Sequence, residues 1–371
     1  MAIQASLPKQ NTDGCVPFAW PLRNTEEDVS AYTLPAEWHT QSFVQLTWPH
    51  DGTDWAYMLD RVEECFVNIA REIASRQPLL VVAPHFPRVL EDTDFRHNIR
   101  FAACPTNDTW ARDHAFITLL RNDGTPLLAD FCFNGWGMKF AACKDNLINE
   151  RLHRNGVLSG EYLNRRNFVL EGGSIESDGK GTLLTTSQCL LAPNRNDTMS
   201  RREIEDYLKH TLGMQRVLWL DHGYLAGDDT DSHVDTLARF CPDDTIAYVK
   251  CTDEGDEHYA ALRDMEEQLK TFRTADGHPY RLLPLPMTDA VYDDDGTRLP
   301  ATYANFLVIN RAVLYPTYAQ PENDRRAADV LRRAFPDREI VGIDCRPLIC
   351  QHGSLHCVTM QYPENVKLLN I

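Results

Sequence analysis

Amphipathic helices followed by short apolar strands recur along this chain. From Trp55 to Ser75, residues Leu59, Val62, Phe66, Ile69 and Ile73 share one face at helical spacing, and Pro78 to Ala83 follows as an apolar run suited to a buried strand. Phe43 to Pro49 alternates ahead of them in the manner of a strand. A weaker helix over 144–154 precedes the strand pattern Asn167 to Leu170. Ser200 with Glu203 forms a capping box that opens a helix to Leu212, Gly213 closes it, and Arg216 to Leu220 reads as the next strand. Helix 258–272 with strand 281–285, and helix 324–335 with strand 339–343, complete five units spaced roughly 50 to 90 residues apart.

Each unit delivers a polar cluster beside a further apolar stretch. In order these are Trp110 to Asp113, Glu171 to Ser174, Asp228 to Asp235, Thr302 to Phe306, and Gln351 to Met360. A circular repeat pointing one loop per unit at a common axis would gather all five in one site. The competing arrangement is an open α/β sheet with unrelated loops. Residues 1 to about 35, broken by Pro8, Gly14, Pro17, Pro21 and Pro35, read as an irregular arm ahead of one catalytic domain over 36–371.

Hydrophobic residues make up 43% and charged residues 25%, the balance of a globular protein. No stretch reaches the roughly 18 apolar residues of a membrane span, and the first residues lack a secretory pattern, so a cytoplasmic protein is expected. A net charge of −17 argues against nucleic acid and anionic membranes, and it favours a cationic small molecule. Eleven cysteines, odd in number and without a C-x-x-C pair, predict reduced thiols rather than a disulfide framework. Assembly into a homo-oligomer is left open.

Among those thiols Cys357 is the candidate nucleophile, because Gly353 and Ser354 permit a tight turn that leaves it at the start of a strand. His233 and Asp235, two apart on a presumed strand, would face one ligand together. Asp113 follows Arg112, and Glu171 stands before two glycines at a strand end. A phosphate loop is rejected there, since the residues that follow, Thr182 to Thr186, look like a strand rather than a helix. The spacing of Cys345, Cys350, His352, His356 and Cys357 matches no zinc signature, and Asp228 to Asp235 lacks the glycine and glutamate of a calcium loop. Neither metal nor cofactor is expected. A thiol, a histidine and several carboxylates from separate loops suit attack on a carbon that carries cationic nitrogens, because paired carboxylates hold a planar guanidinium.

Taken in order, these motifs resemble the agmatine deiminase and peptidyl-arginine deiminase-like family of the guanidine-modifying, or pentein, superfamily. The likeness runs from Leu34-Pro35-Ala36-Glu37-Trp38 through Trp110-x-Arg-Asp, Leu170 to Ser174, Asp228 to Asp235, Tyr303 to Phe306 and His356-Cys357, ending at Pro363. It implies a five-bladed pseudo-symmetric α/β propeller of ββαβ modules. The implied activity is that of a hydrolase on C–N bonds of linear amidines, turning agmatine into N-carbamoylputrescine and ammonia through an amidino-cysteine. Catalysis would rest on Cys357, His233 and Glu171, and substrate binding on Asp113, Asp235 and Asn305. Trp48, Asp51, Asp54 and Asp229 are candidates for the distal amine of agmatine. The family's usual Gly-Gly-Gly-Asn-Ile before His-Cys is replaced here by Gln351-His352-Gly353-Ser354-Leu355, which leaves peptidyl-arginine and free arginine as alternative substrates. A guanidinium-binding protein without turnover is the non-catalytic alternative.

Overall fold

Parallel strands cannot be joined by a tight hairpin, so each needs a crossover, and in this chain the amphipathic helices provide it. The computed structural model describes residues 32–369. Helix Leu59–Ala74 links Gln41–Thr47 to the parallel strand Leu79–Ala83. Ile148–Arg154 does the same between Pro126–Cys132 and Glu161–Val169, and Arg201–Leu212 between Thr182–Thr186 and Arg216–Leu220. Tyr259–Thr271 joins Thr245–Lys250 to Arg281–Pro286, while Pro321–Ala334 joins Ala312–Thr317 to Glu339–Asp344.

Every one of these parallel pairs is flanked by an antiparallel strand on its first member, so that five sheets of three or four strands share one pattern among the described residues. Four of the leading strands, Ile117–Arg121, Ile175–Ser177, Ala238–Cys241 and Leu307–Ile309, come from the chain just ahead of their partners. The fifth, Thr359–Pro363, comes from the far end and pairs with Gln41–Thr47, joining the two ends of the described chain in one sheet. The α/β class read from the pattern is therefore the observed one.

Local chemistry accounts for the elements. Val62, Phe66, Ile69 and Ile73 are fully buried on the inner face of Leu59–Ala74, each side chain stabilising the fold by about 1.5–3 kcal/mol. Ser200 and Glu203 exchange both capping bonds, and Gly213 ends that helix at φ +66°. Of the arm expected over 1–35, residues 1–31 lie outside the described ones. Its end is not irregular: Tyr32–Thr33 forms a strand on Ile117–Arg121, and Tyr32 is buried with its hydroxyl donating to the His210 carbonyl at 2.8 Å.

Candidate active site

The polar clusters sit immediately ahead of the five leading strands. Trp110 to Asp113 enters the short helix Ala111–His114, Glu171 caps the turn Gly172–Ser174, and His233 caps the turn Val234–Thr236. Cys357 lies two residues before Thr359–Pro363. Two local expectations change. His233 and Asp235 are on a 3-10 turn rather than a strand, because the Asp228 carboxylate accepts from Thr230 and Ser232 and curls the chain, with Asp231 and Ser232 at φ +63°. Gly353 is dictated by packing: a Cβ there would lie 2.1 Å from the Trp110 ring, whereas the positive φ of that loop belongs to His352.

Gly173 marks the convergence of the side chains. A Cβ on it would come 2.6 Å from His233 Nδ1, 2.9 Å from Asp113 Oδ1 and 3.0 Å from Asp235 Oδ2, so only glycine lets the three meet. Asp113 accepts from Gly173 N at 3.0 Å and from Trp136 Nε1 at 2.9 Å. Asp235 Oδ2 is 2.7 Å from His356 Nδ1, while its Oδ1 is buried without a hydrogen-bond partner. An unpaired buried carboxylate oxygen is costly unless a ligand supplies the donor.

Burial, with Asp235 and Asp113 adding to it, pushes the Cys357 thiol well above its usual range. Burial alone would lower His233, yet Asp113, Cys189 and Glu171 hold its imidazole well above the usual histidine value. The same ring is 3.6 Å from Asp113 Oδ1 and 3.9 Å from Glu171 Oε2. Burial also opposes ionisation of Glu171 and Asp235, but His233 with Arg195 lowers the first and His356 lowers the second. The shifts thus favour a protonated thiol, a charged imidazole and ionised Glu171 and Asp235, whereas burial raises the Asp113 carboxyl against the pull of His233.

A narrow cleft opens over Cys357. Its walls are Asp113, Trp110, Trp136, Phe140, Thr230, Gly353 and Gln351, and Asp54, Asp108, Asp229 and His352 supply the remaining ionisable groups beside Cys357. Burial raises the Asp108 carboxyl to about 6 and also raises Asp229. Asn305 does not line this cleft: its Oδ1 accepts from the backbone of His356 at 2.9 Å and of Cys357 at 3.3 Å, with Cys357 Sγ at 3.4 Å, so it shapes the nucleophile turn. Trp48, expected at the substrate, is buried against Phe66 and donates to Glu63. Asp51 is exposed beside His50.

Four residues that the sequence reading did not place complete the surroundings. Arg195 Nε reaches both Glu171 oxygens, at 3.0 and 3.1 Å, and Trp136 tops Asp113. Glu37 and Arg239 stand behind His356. Among the described residues two clusters have donors close enough for a metal ion, Glu171 with Cys189 and His233, and Glu37 with Glu176 and His356. In each an arginine already occupies the carboxylates, Arg195 in the first and Arg239 in the second, so a cation there would meet a guanidinium.

The family profile of the Porphyromonas-type peptidyl-arginine deiminases matches residues 33–363. The chain belongs to this family. As a member it is a hydrolase acting on carbon–nitrogen bonds. It is 57% identical to a Porphyromonas gingivalis protein provisionally named arginine deiminase, covering 90% of this chain and 99% of that one with a TM-score of 0.86. A C. jejuni agmatine deiminase with substrate bound is 38% identical, over 89% of this chain and 96% of that one, at a TM-score of 0.83. Among curated relatives, a Legionella pneumophila protein provisionally named agmatine deiminase is 33% identical over 93% of this family member and 99% of its own length. Its likeness to these deiminases covers the whole described fold, apart from the extreme ends.

Proposed function

We propose that this protein hydrolyses the guanidino group of agmatine, giving N-carbamoylputrescine and ammonia, within a single catalytic domain over 36–371. The five ββαβ sheets would stand around one axis as a five-bladed propeller, with the leading strands delivering the reactive groups to its centre. What supports the reading is Cys357 beside two buried carboxylates that both raise its thiol, Asp113 on the cleft wall and Asp235 behind it, the second with an oxygen unpaired among the described residues.

In this reading Asp113 and Asp235 take the N–H groups of the guanidinium in charge-assisted hydrogen bonds. The arriving cation offsets the carboxylates that keep the thiol protonated, so the thiol releases its proton to solvent and the thiolate forms in the complex. Sulfur bonds to the central carbon, and His233 donates its proton to the departing nitrogen as the C–N bond breaks, releasing ammonia. The neutral imidazole then takes a proton from water, whose oxygen bonds to the amidino carbon. The C–S bond breaks, and the ureido product leaves with Cys357 restored. Glu171, anchored by Arg195, would hold His233 in place and favour its charged form.

The distal end of the substrate favours an amine over a carboxylate. Asp54, Asp108 and Asp229 line the cleft together with Trp110 and Phe140, and no lysine or arginine is among its lining residues. Lys139, nearby, is turned onto the Asp229 carbonyl and the Asp231 carboxylate. The test is ureido-product formation from agmatine, free arginine and arginyl peptides. Agmatine should be the preferred substrate, and Cys357→Ala should lower its turnover by at least about 10⁴-fold. Preference for arginine or arginyl peptides would overturn the substrate, and unchanged turnover by Cys357→Ala would overturn the chemistry.

A further inference from the structure

His356 precedes the nucleophile in sequence, yet its side chain points away from the cleft into a layer of buried charge. Nδ1 is 2.7 Å from Asp235 Oδ2. On the opposite edge of the ring, Nε2 lies 2.8 Å from Glu37 Oε2 and 3.1 Å from Arg239 Nη2. The ring is 1% exposed, so water does not compete for these bonds. Glu37 is itself fixed, since its other oxygen accepts from Val308 N at 2.7 Å and Arg239 binds the oxygen that faces His356. Arg239 is held in turn by Glu176, by the carbonyls of Ala304 and Phe306, and by the Phe306 ring 4.4 Å away.

The arrangement is asymmetric in a useful way. One Asp235 oxygen is tied to this immobile layer, and the other, Oδ1, is left without a partner. A carboxylate hydrogen-bonded at one oxygen is restrained in rotation about Cβ–Cγ, so its second oxygen is biased toward one direction, which favours recognition of a planar guanidinium. The backbone of His356 also donates to Asn305 Oδ1, the atom that accepts from Cys357 as well. The same residue therefore sets the carboxylate and the turn bearing the sulfur.

We propose that His356 is a positioning residue for guanidinium recognition, holding Asp235 through Nδ1 so that Oδ1 faces the substrate, with Glu37 and Arg239 locking the ring from behind. This rests on the deiminase reading above. The role predicts which atom of the side chain matters. An asparagine at this position places its amide nitrogen near Nδ1, whereas a glutamine places it nearer Nε2.

The experiment is steady-state kinetics with agmatine for wild type, His356→Asn, His356→Gln and His356→Ala, with thermal unfolding of each. Loss of one charge-assisted bond to Asp235 should raise KM by about tenfold to a hundredfold in the Ala and Gln variants, with a smaller change in kcat. His356→Asn should restore KM to within a few-fold of wild type, although it lacks the Glu37 contact. If Ala fails to fold, the Asn and Gln variants carry the comparison. KM unchanged in Gln, or Asn and Gln equally impaired in kcat at unchanged KM, would overturn the inference while leaving the deiminase reading intact. Absence of ureido product from wild type with any guanidino substrate would overturn both together.

Discussion

Two of the carboxylate pairs in this protein are built to opposite ends. Glu37 and Glu176 grip the guanidinium of Arg239, which also donates to the Ala304 and Phe306 carbonyls and rests on the Phe306 ring. Nothing nucleophilic is among those contacts, and the result is a closed structural pair. Asp113 and Asp235 are just as buried, yet beside them stand a thiol and an imidazole, and Asp235 keeps one oxygen unpaired. In the proposed reading the same recognition chemistry is permanent in one layer and exchangeable in the next. What separates them is the surrounding donor set rather than the carboxylates themselves.

Neutralising one member of each pair should break them differently. Glu176→Gln leaves Arg239 partly unpaired in the interior and should cost about 3 kcal/mol of stability, read by denaturant unfolding. Asp235→Asn breaks the bond to His356 that keeps this carboxyl below its usual range, so it should also cost about 1–3 kcal/mol of stability, and agmatine turnover should fall about 10²-fold or more. Glu176→Gln should leave turnover of the folded enzyme within a few-fold of wild type, and equal loss of turnover by both would erase the contrast. A smaller effect concerns the thiol. With Cys357 raised by burial and by Asp235 and Asp113, it is protonated at neutral pH, and alkylation of the free enzyme by iodoacetamide should climb about tenfold per pH unit as the pH rises toward its pKa. An unreactive guanidinium bound between the carboxylates lowers that pKa, so the alkylation profile should move to lower pH. An unmoved profile would sever the link between cation and thiolate. The smallest effect is at the rim: Asp229→Asn should raise the KM for agmatine by about three- to tenfold. Trp48→Phe, at a buried residue that does not line the cleft, should lower stability and leave KM alone.

The units of helix and strand were legible because amphipathic spacing and caps are local. Leu59–Ala74 and Arg201–Leu212 follow directly from the positions of Val62, Phe66 and Ser200. Local pattern misled where a side chain redirects the backbone, as Asp228 does ahead of His233 and Asp235. Trp48 looked like a cleft residue from its neighbours in sequence, and burial beside Phe66 explains it instead. Glu37 gave one signal, a carboxylate among Leu34, Pro35, Ala36 and Trp38, but its partners are Arg239 and His356, 202 and 319 residues away.

The amino-acid order by itself determined the succession of helices and strands, the reactive residue types, and through its motifs the family of the chain. Those are properties of short windows, where period, capping and side-chain chemistry act between near neighbours. Only the folded chain decided which carboxylate is locked and which keeps an unpaired oxygen, because that depends on desolvation and on hydrogen bonds between segments hundreds of residues apart. His356, adjacent to Cys357 along the backbone and turned to the opposite side of Asp235, is where the two kinds of information meet.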